Sequence, residues 1–121
     1  MRYLSMFSGI GGFDCALNQL GHTCIGYSEI DKNAIQIYKK NFGVEVTNYG
    51  DATTIDTGQL PDFDLLCGGS PCQDFSISGL RKGLEDEEGK STRSGLFFQI
   101  VRIAKEKKPK YILIENVPGM L

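Results

Sequence analysis

Four residues carry side chains suited to chemistry, and each follows a stretch that would present it at a chain turn. Cys72 stands in Cys67-Gly68-Gly69-Ser70-Pro71-Cys72-Gln73-Asp74-Phe75-Ser76, just beyond the apolar run Phe63-Asp64-Leu65-Leu66-Cys67. That run reads as a short buried strand, and the two glycines end it. A thiol delivered there sits where open α/β sheets bind their ligands, at the carboxyl end of a strand. The competing reading is a strand-to-loop turn that holds a cysteine with no task. Glu29 follows Thr23-Cys24-Ile25-Gly26-Tyr27-Ser28, Asp51 follows Tyr49-Gly50, and Glu115 follows Tyr111-Ile112-Leu113-Ile114.

The turn Gly9-Ile10-Gly11-Gly12 joins a first strand to a first helix, as nucleotide-type sites do. It is not the dinucleotide fingerprint, which needs a glycine where Asp14 stands. Glu29 lies at the distance beyond it where an acid accepts from ribose hydroxyls, and Asp51 could accept from an adenine amino group. Read singly, each acid is equally a helix cap or a solvated loop residue. Read together, they describe a site for an adenosine-containing ligand. The glycine turn has no basic companion, which suits a ligand without phosphates. Glu115 on its Glu-Asn-Val-Pro turn is poorly explained by capping; burial there would raise its pKa and keep it protonated as a donor. An ordinary surface acid is the alternative.

The elements that must position these residues alternate. Tyr3 to Phe7 reads as a strand, then a helix carries Phe13, Ala16, Leu17 and Leu20 at i, i+3, i+4, i+7 up to Gly21. Thr23 to Ser28 is a second strand. Asp31 caps a second helix with Ala34, Ile35, Tyr38 and Phe42 on one face. Val44-Glu45-Val46 reads as a short third strand, Phe63 to Cys67 as a fourth and Tyr111 to Ile114 as a fifth. Residues 54–61 are polar, with room for one helical turn. A third helix presents Leu96, Phe97, Ile100, Val101 and Ala104. Strand–helix alternation of this kind argues for a mostly parallel sheet with helices on both faces. Residues 77–94 show no periodicity and read as a long functional loop.

The bulk properties narrow the class. The chain has 121 residues and a formal net charge of −2, with 40% hydrophobic and 23% charged residues, as in one ordinary globular domain. No apolar run approaches a membrane span, and the amino terminus is no secretory signal. These point by default to the cytoplasm. The charge argues against holding nucleic acid by electrostatics alone. None of the four cysteines forms a Cys-x-x-Cys pair, so zinc has no support. Cys15, Cys24 and Cys67 fall at apolar positions and read as small buried hydrophobes.

Phe7-Ser8-Gly9-Ile10-Gly11-Gly12-Phe13, Glu29, Gly50-Asp51, Gly69-Ser70-Pro71-Cys72-Gln73-Asp74-Phe75-Ser76 and Glu115-Asn116-Val117 together resemble the ordered motifs of DNA (cytosine-5) methyltransferases. The resemblance runs over essentially the whole chain. It implies a Rossmann-like methyltransferase fold and S-adenosylmethionine as cofactor, with no metal. Phe7 and Ile30 would lie against the adenine, Gly9, Gly11 and Gly12 would line the methionine end, and Glu29 would hold the ribose. Asp51 would accept from the adenine amino group, and Pro71 and Leu96 would complete the pocket. Cys72 would be the nucleophile and Glu115 would bond the target cytosine. The substrate implied is double-stranded DNA, from which the base is flipped out. The acidic cluster Glu85-Asp86-Glu87-Glu88 departs from the family's more compact loop. The later parts of the family, including its target-recognition domain, have no counterpart here. The chain thus reads as a partial catalytic domain over residues 1–121, truncated after the fifth strand. A second chain or further segment would carry target recognition, and the open sheet edge would allow a homodimer.

Overall fold

The computed structural model describes residues 1–69 and 93–115, the side chains of Arg93, Ser94 and Leu96 excepted. Its elements are β1 (Arg2–Met6), α1 (Gly12–Gln19), β2 (Thr23–Ser28), α2 (Lys32–Phe42), two single 3₁₀ turns (Ala52–Thr54 and Thr57–Gln59), β3 (Leu65–Gly69), α3 (Arg93–Lys107) and β4 (Tyr111–Glu115). The strands form one sheet in the order β2-β1-β3-β4, and every pair is parallel.

Alternation along the strands divides the core between two faces. Leu4 and Met6 of β1 join Leu66 of β3, and Ile100 and Ile103 of α3 cover them together with Ala52, Ile55, Leu60 and Phe63. All five of Leu4, Met6, Leu66, Ile100 and Ile103 are at most 2% exposed. Each such side chain contributes roughly 1.5–3 kcal/mol by leaving water. Tyr3, Leu65 and Cys67 point the opposite way and meet Leu17 of α1. Helices therefore cover both faces, as the alternation of elements predicts.

The expected strand at Val44–Val46 does not form, so the sheet has four strands among the described residues rather than five. Val44 is 78% exposed. The chain reaches β2 only afterwards, through the single parallel bridge between Tyr27 and Asn48. Tyr27 N–H donates to the Thr47 carbonyl and Tyr49 N–H to that of Tyr27. Gly50 (φ 73°) then turns the backbone away, which stops pairing from propagating.

The stripe expected of α1 is also rotated. Leu20 is 74% exposed, while Asp14 and Leu17 are the buried pair. Cys15 shares the outer face and is exposed, contrary to the expectation of a buried thiol; Cys67 is buried and Cys24 half-buried. The reason is a polar network under the sheet. Ser5 Oγ donates to Asp14 Oδ1 at 2.7 Å. Tyr38 OH and Cys24 Sγ donate to Oδ2, and Tyr3 OH donates to Asn18 Oδ1 at 2.8 Å. A bulge in β2 makes this possible, because the register steps from Tyr3–Cys24 to Leu4–Gly26. The extra residue puts Cys24 and Tyr27 on one face although they are three apart.

The basic residues near the end of α3 are partly structural. Arg102 donates to the carbonyls of Ala52 and Ile55, both at 3.1 Å, and Lys107 donates to that of Leu60 at 2.9 Å. They stitch the two 3₁₀ turns to the helix.

Candidate functional site

Because all four strands run in one direction, their carboxyl ends share one edge of the sheet. The register sets Met6 opposite both Ser28 and Gly68, and Gly69 opposite Glu115. The glycine turn, Glu29, the lead into Cys72, and Glu115 thus leave the sheet side by side.

The first turn begins with strain. Phe7 has φ 51°, a left-handed conformation that costs a non-glycine residue about 1 kcal/mol or more. Its side chain is half-buried against the core face of Leu4 and Met6. The glycines after it have different surroundings. A Cβ on Gly11 (φ 96°) would lie 2.9 Å from Phe42 Cζ and 3.1 Å from Tyr38 Cδ2. A Cβ on Gly9 or Gly12 would meet nothing within 4 Å. Gly11 is thus required by packing on α2, whose Tyr38 and Phe42 form a column of rings with Tyr27 of β2. Gly9 and Gly12 leave open space, and Ile10 and Ile30 are both exposed.

Glu29 is fixed by backbone donors. Its Oε1 accepts from Gly9 N–H at 2.7 Å, and Oε2 accepts from Ile30 N–H at 3.0 Å and Asp31 N–H at 2.9 Å. A carboxylate offers about four acceptor sites, so one is left on Oε1. Asp51 caps the first 3₁₀ turn, accepting from Thr53 N–H at 2.9 Å and Thr53 Oγ1 at 2.8 Å. Both bonds fall on Oδ1, and the side chain is exposed. Ser28 joins the two segments: its Oγ donates to the Gly50 carbonyl at 2.6 Å, and its own carbonyl accepts from Ser8 N–H at 3.2 Å. Asn48 was not singled out from sequence. It bonds to the backbone of both Glu29 and Gly50. Its bond to Gly50 N–H, two residues on, is a local Asx turn that Asn-Tyr-Gly could have signalled; its two bonds to Glu29 are non-local and leave no mark in periodicity or composition.

Glu115 is exposed, contrary to the expected burial. It ends β4, the outermost strand, whose Tyr111, Ile112 and Leu113 are exposed as well. Pro71 and Cys72 lie outside the described residues, as does most of the 77–94 loop; Leu96 belongs to α3, with its side chain outside them. Among the described thiols, burial pushes Cys67 up to about 12, and the nearby Asp14 carboxylate adds to it. Burial also raises Cys24, against the bond from Tyr38. Neither is activated as a nucleophile.

The open glycine turn, a pre-oriented carboxylate one strand away and a second acid beside it fit an adenosine-containing cofactor without phosphates. Among the described residues no group of three or more His, Cys, Asp or Glu could hold a metal. No helix among them is long and apolar enough to cross a membrane.

The family model for C-5 cytosine-specific DNA methylase matches residues 1–121. The orphan methyltransferase M.SPRI of Bacillus phage SPR is 49% identical over 124 residues, covering 100% of this chain and 27% of its own length. The type II methyltransferase M.HhaI of Haemophilus parahaemolyticus is 46% identical over 117 residues, covering 97% of this chain and 34% of its own. The crystal structure of the S. pombe Dnmt2 methyltransferase superposes with a TM-score of 0.71 at 29% identity, covering 98% of this chain and 37% of its own. The chain spans about a quarter to a third of the length of the curated relatives it matches. With the whole of its sequence matched and its sheet superposed, the chain belongs to the C-5 cytosine-specific DNA methylase family.

Proposed function

We propose that this chain is the cofactor-binding and catalytic portion of an enzyme that methylates C5 of cytosine in double-stranded DNA. The observation that carries the reading is the shared sheet edge. There the open glycine turn and Glu29 stand beside the strand ends leading to Cys72 and Glu115. When bound, S-adenosylmethionine supplies a sulfonium methyl group to the nucleophile. Glu29 would hold the ribose, Asp51 would accept from the adenine amino group, and Phe7 and Ile30 would pack on the adenine. Gly9 and Gly12 would let the methionine end approach the backbone, and Pro71 and Leu96 are the residues proposed to complete the pocket.

C5 of cytosine is too weak a nucleophile to be methylated directly. The Cys72 thiolate adds to C6 of the flipped base, which makes C5 nucleophilic. Glu115 hydrogen-bonds the ring nitrogen and exocyclic amine, where charge develops. Methyl transfer would release S-adenosylhomocysteine; a solvent base then takes the C5 proton, its C–H electrons re-form the C5–C6 double bond, and the C6–S bond breaks to restore the thiolate. The remaining length found in the relatives, in the same or a second chain, carries target recognition. The enzyme acts in the cytoplasm, and two copies meeting at the exposed β4 edge are a further assembly this surface permits.

The test is methyl transfer from radiolabelled S-adenosylmethionine to DNA, with the recognition portion of a relative supplied in trans. Activity lost in Cys72→Ser is expected; full activity in that variant overturns the nucleophile assignment. A second reading, favoured by the chain's length relative to its relatives, is cofactor binding without turnover by the isolated chain. Calorimetry that detects the cofactor while the DNA assay stays silent would select it.

A further inference from the structure

Asn48 lies outside every motif that carries the family resemblance, yet its side chain holds both acid-bearing segments at once. Oδ1 accepts from Glu29 N–H at 3.2 Å and from Gly50 N–H at 2.9 Å. Nδ2 donates to the Glu29 carbonyl at 3.1 Å. Only one orientation of the amide satisfies all three, since the reverse would set its NH₂ against two N–H donors. The side chain thus pairs with both main-chain groups of Glu29, as a neighbouring strand would, at the place where pairing beyond the Tyr27–Asn48 bridge has stopped.

The consequences for Glu29 and Asp51 follow from the backbone. Ser28 Oγ holds the Gly50 carbonyl at 2.6 Å while Asn48 holds its N–H, so side chains fix both polar groups of Gly50. Gly50 has φ 73°, and that left-handed turn sets the direction in which Asp51 leaves. Glu29 is held through its main chain by Asn48 and through its carboxylate by Gly9, Ile30 and Asp31. Asn48 is half-buried, and a hydrophobic residue of similar size would fill the same space while breaking all three bonds.

We infer that Asn48 is a positioning residue that locks the ribose acceptor and the adenine acceptor into one rigid unit, and so sets selectivity for an adenosine ligand bearing a free ribose. This rests on the cofactor reading above. Were Asn48 only a stabilising contact, its loss would weaken every ligand alike.

The experiment is calorimetry of the 121-residue chain with S-adenosylhomocysteine and with its 2′-deoxyribose analogue. Asn48→Ala, Asn48→Leu and, as a destabilised control from the far core, Leu60→Ala are measured beside the unsubstituted chain. Thermal melting confirms that each is folded, and Asn48→Leu keeps the test available should the alanine variant not fold. The unsubstituted chain is expected to prefer the ribose ligand. Either Asn48 variant is expected to lose about tenfold in affinity for it, of the order of one net hydrogen bond. The preference for ribose over deoxyribose should shrink with it and remain intact in Leu60→Ala. Amide exchange at Glu29 and Gly50 should quicken in both Asn48 variants. An undiminished ribose preference in the Asn48 variants overturns the inference while leaving the cofactor reading in place. Absence of binding by the unsubstituted chain overturns that reading, and the inference with it.

Discussion

Gly11 and Gly12 stand side by side in one turn, and the structure gives them different reasons to be glycine. At Gly11 an added methyl group would lie 2.9 Å from Phe42 Cζ, closer still to Cε2, and 3.1 Å from Tyr38 Cδ2. It would also have to occupy φ 96°. The left-handed backbone costs roughly 1–2 kcal/mol and the overpacking about 1–3 kcal/mol, so Gly11→Ala should lose about 2–5 kcal/mol. The upper end requires that the ring column cannot slide. At Gly12, the first residue of α1, the methyl group meets nothing within 4 Å. Stability there should change by no more than about 0.5 kcal/mol. The chain has no tryptophan, so helix circular dichroism in urea is the assay. With a slope of about 1–3 kcal/mol/M, a loss of 3 kcal/mol moves the midpoint by 1 M or more. Phe42→Ala should recover part of the Gly11→Ala loss in a double-mutant cycle, and Gly12→Ala should weaken S-adenosylmethionine binding despite its normal midpoint. Equal midpoints for the two glycine variants, or no coupling between positions 11 and 42, would refute the reasoning.

Asp14→Ala should cost about 2–5 kcal/mol, because the Ser5 and Tyr38 hydroxyls, both in buried side chains, would lose their acceptor. Asp14→Asn, which keeps one acceptor oxygen, should cost less; equal urea midpoints for the two would show that the network does not depend on acceptance. Alkaline pH should destabilise the fold through Cys67. Its thiol ionises near 9 when unfolded and at about 12 when folded, so above pH 9 the unfolded chain binds fewer protons and stability falls as pH rises. The slope is at most about 1.4 kcal/mol per pH unit up to pH 12 and vanishes below pH 8. Tyr3 and Tyr38, raised chiefly by burial, add to it above pH 10. Urea midpoints at pH 8 and 10 should converge in Cys67→Ala relative to the unsubstituted chain; an unchanged gap would remove Cys67 as the cause.

Much of the frame is legible from residue order. Four apolar runs become the four parallel strands, and Asp31 caps α2 through Asn33 and Ala34 N–H as its position suggests. Val44–Val46 misleads because β-branched residues satisfy a local preference with no partner within reach; pairing needs the chain to lie beside β2, and it does so only around Asn48. Periodicity misplaces the inner face of α1 for a related reason. A pattern of apolar residues has no place for Asp14, whose burial depends on Ser5, Cys24 and Tyr38 arriving from three other elements. The role of Asn48 toward Glu29 is hidden on the same ground, since those two bonds reach another element; only its turn onto Gly50 is local.

For Glu29 and Asp51, capping and ligand binding stand as rival readings of the sequence, and the local bonds seen in the structure are compatible with both. An exposed carboxylate with no local bonds samples several rotamers and must be ordered when a ligand arrives, at the expense of affinity. Asp51 is held by Thr53 through Oδ1, which directs Oδ2 outward; Glu29 is held by three backbone donors that leave one acceptor site on Oε1. The local bonds are therefore what make each acid a prepared acceptor. Glu115 has no such support among the described residues and ends an exposed strand. On this argument the proposed adenosine half of the site would already be rigid in this chain. The base-binding half depends on whatever covers β4, so cofactor affinity should survive changes at that edge that methyl transfer does not.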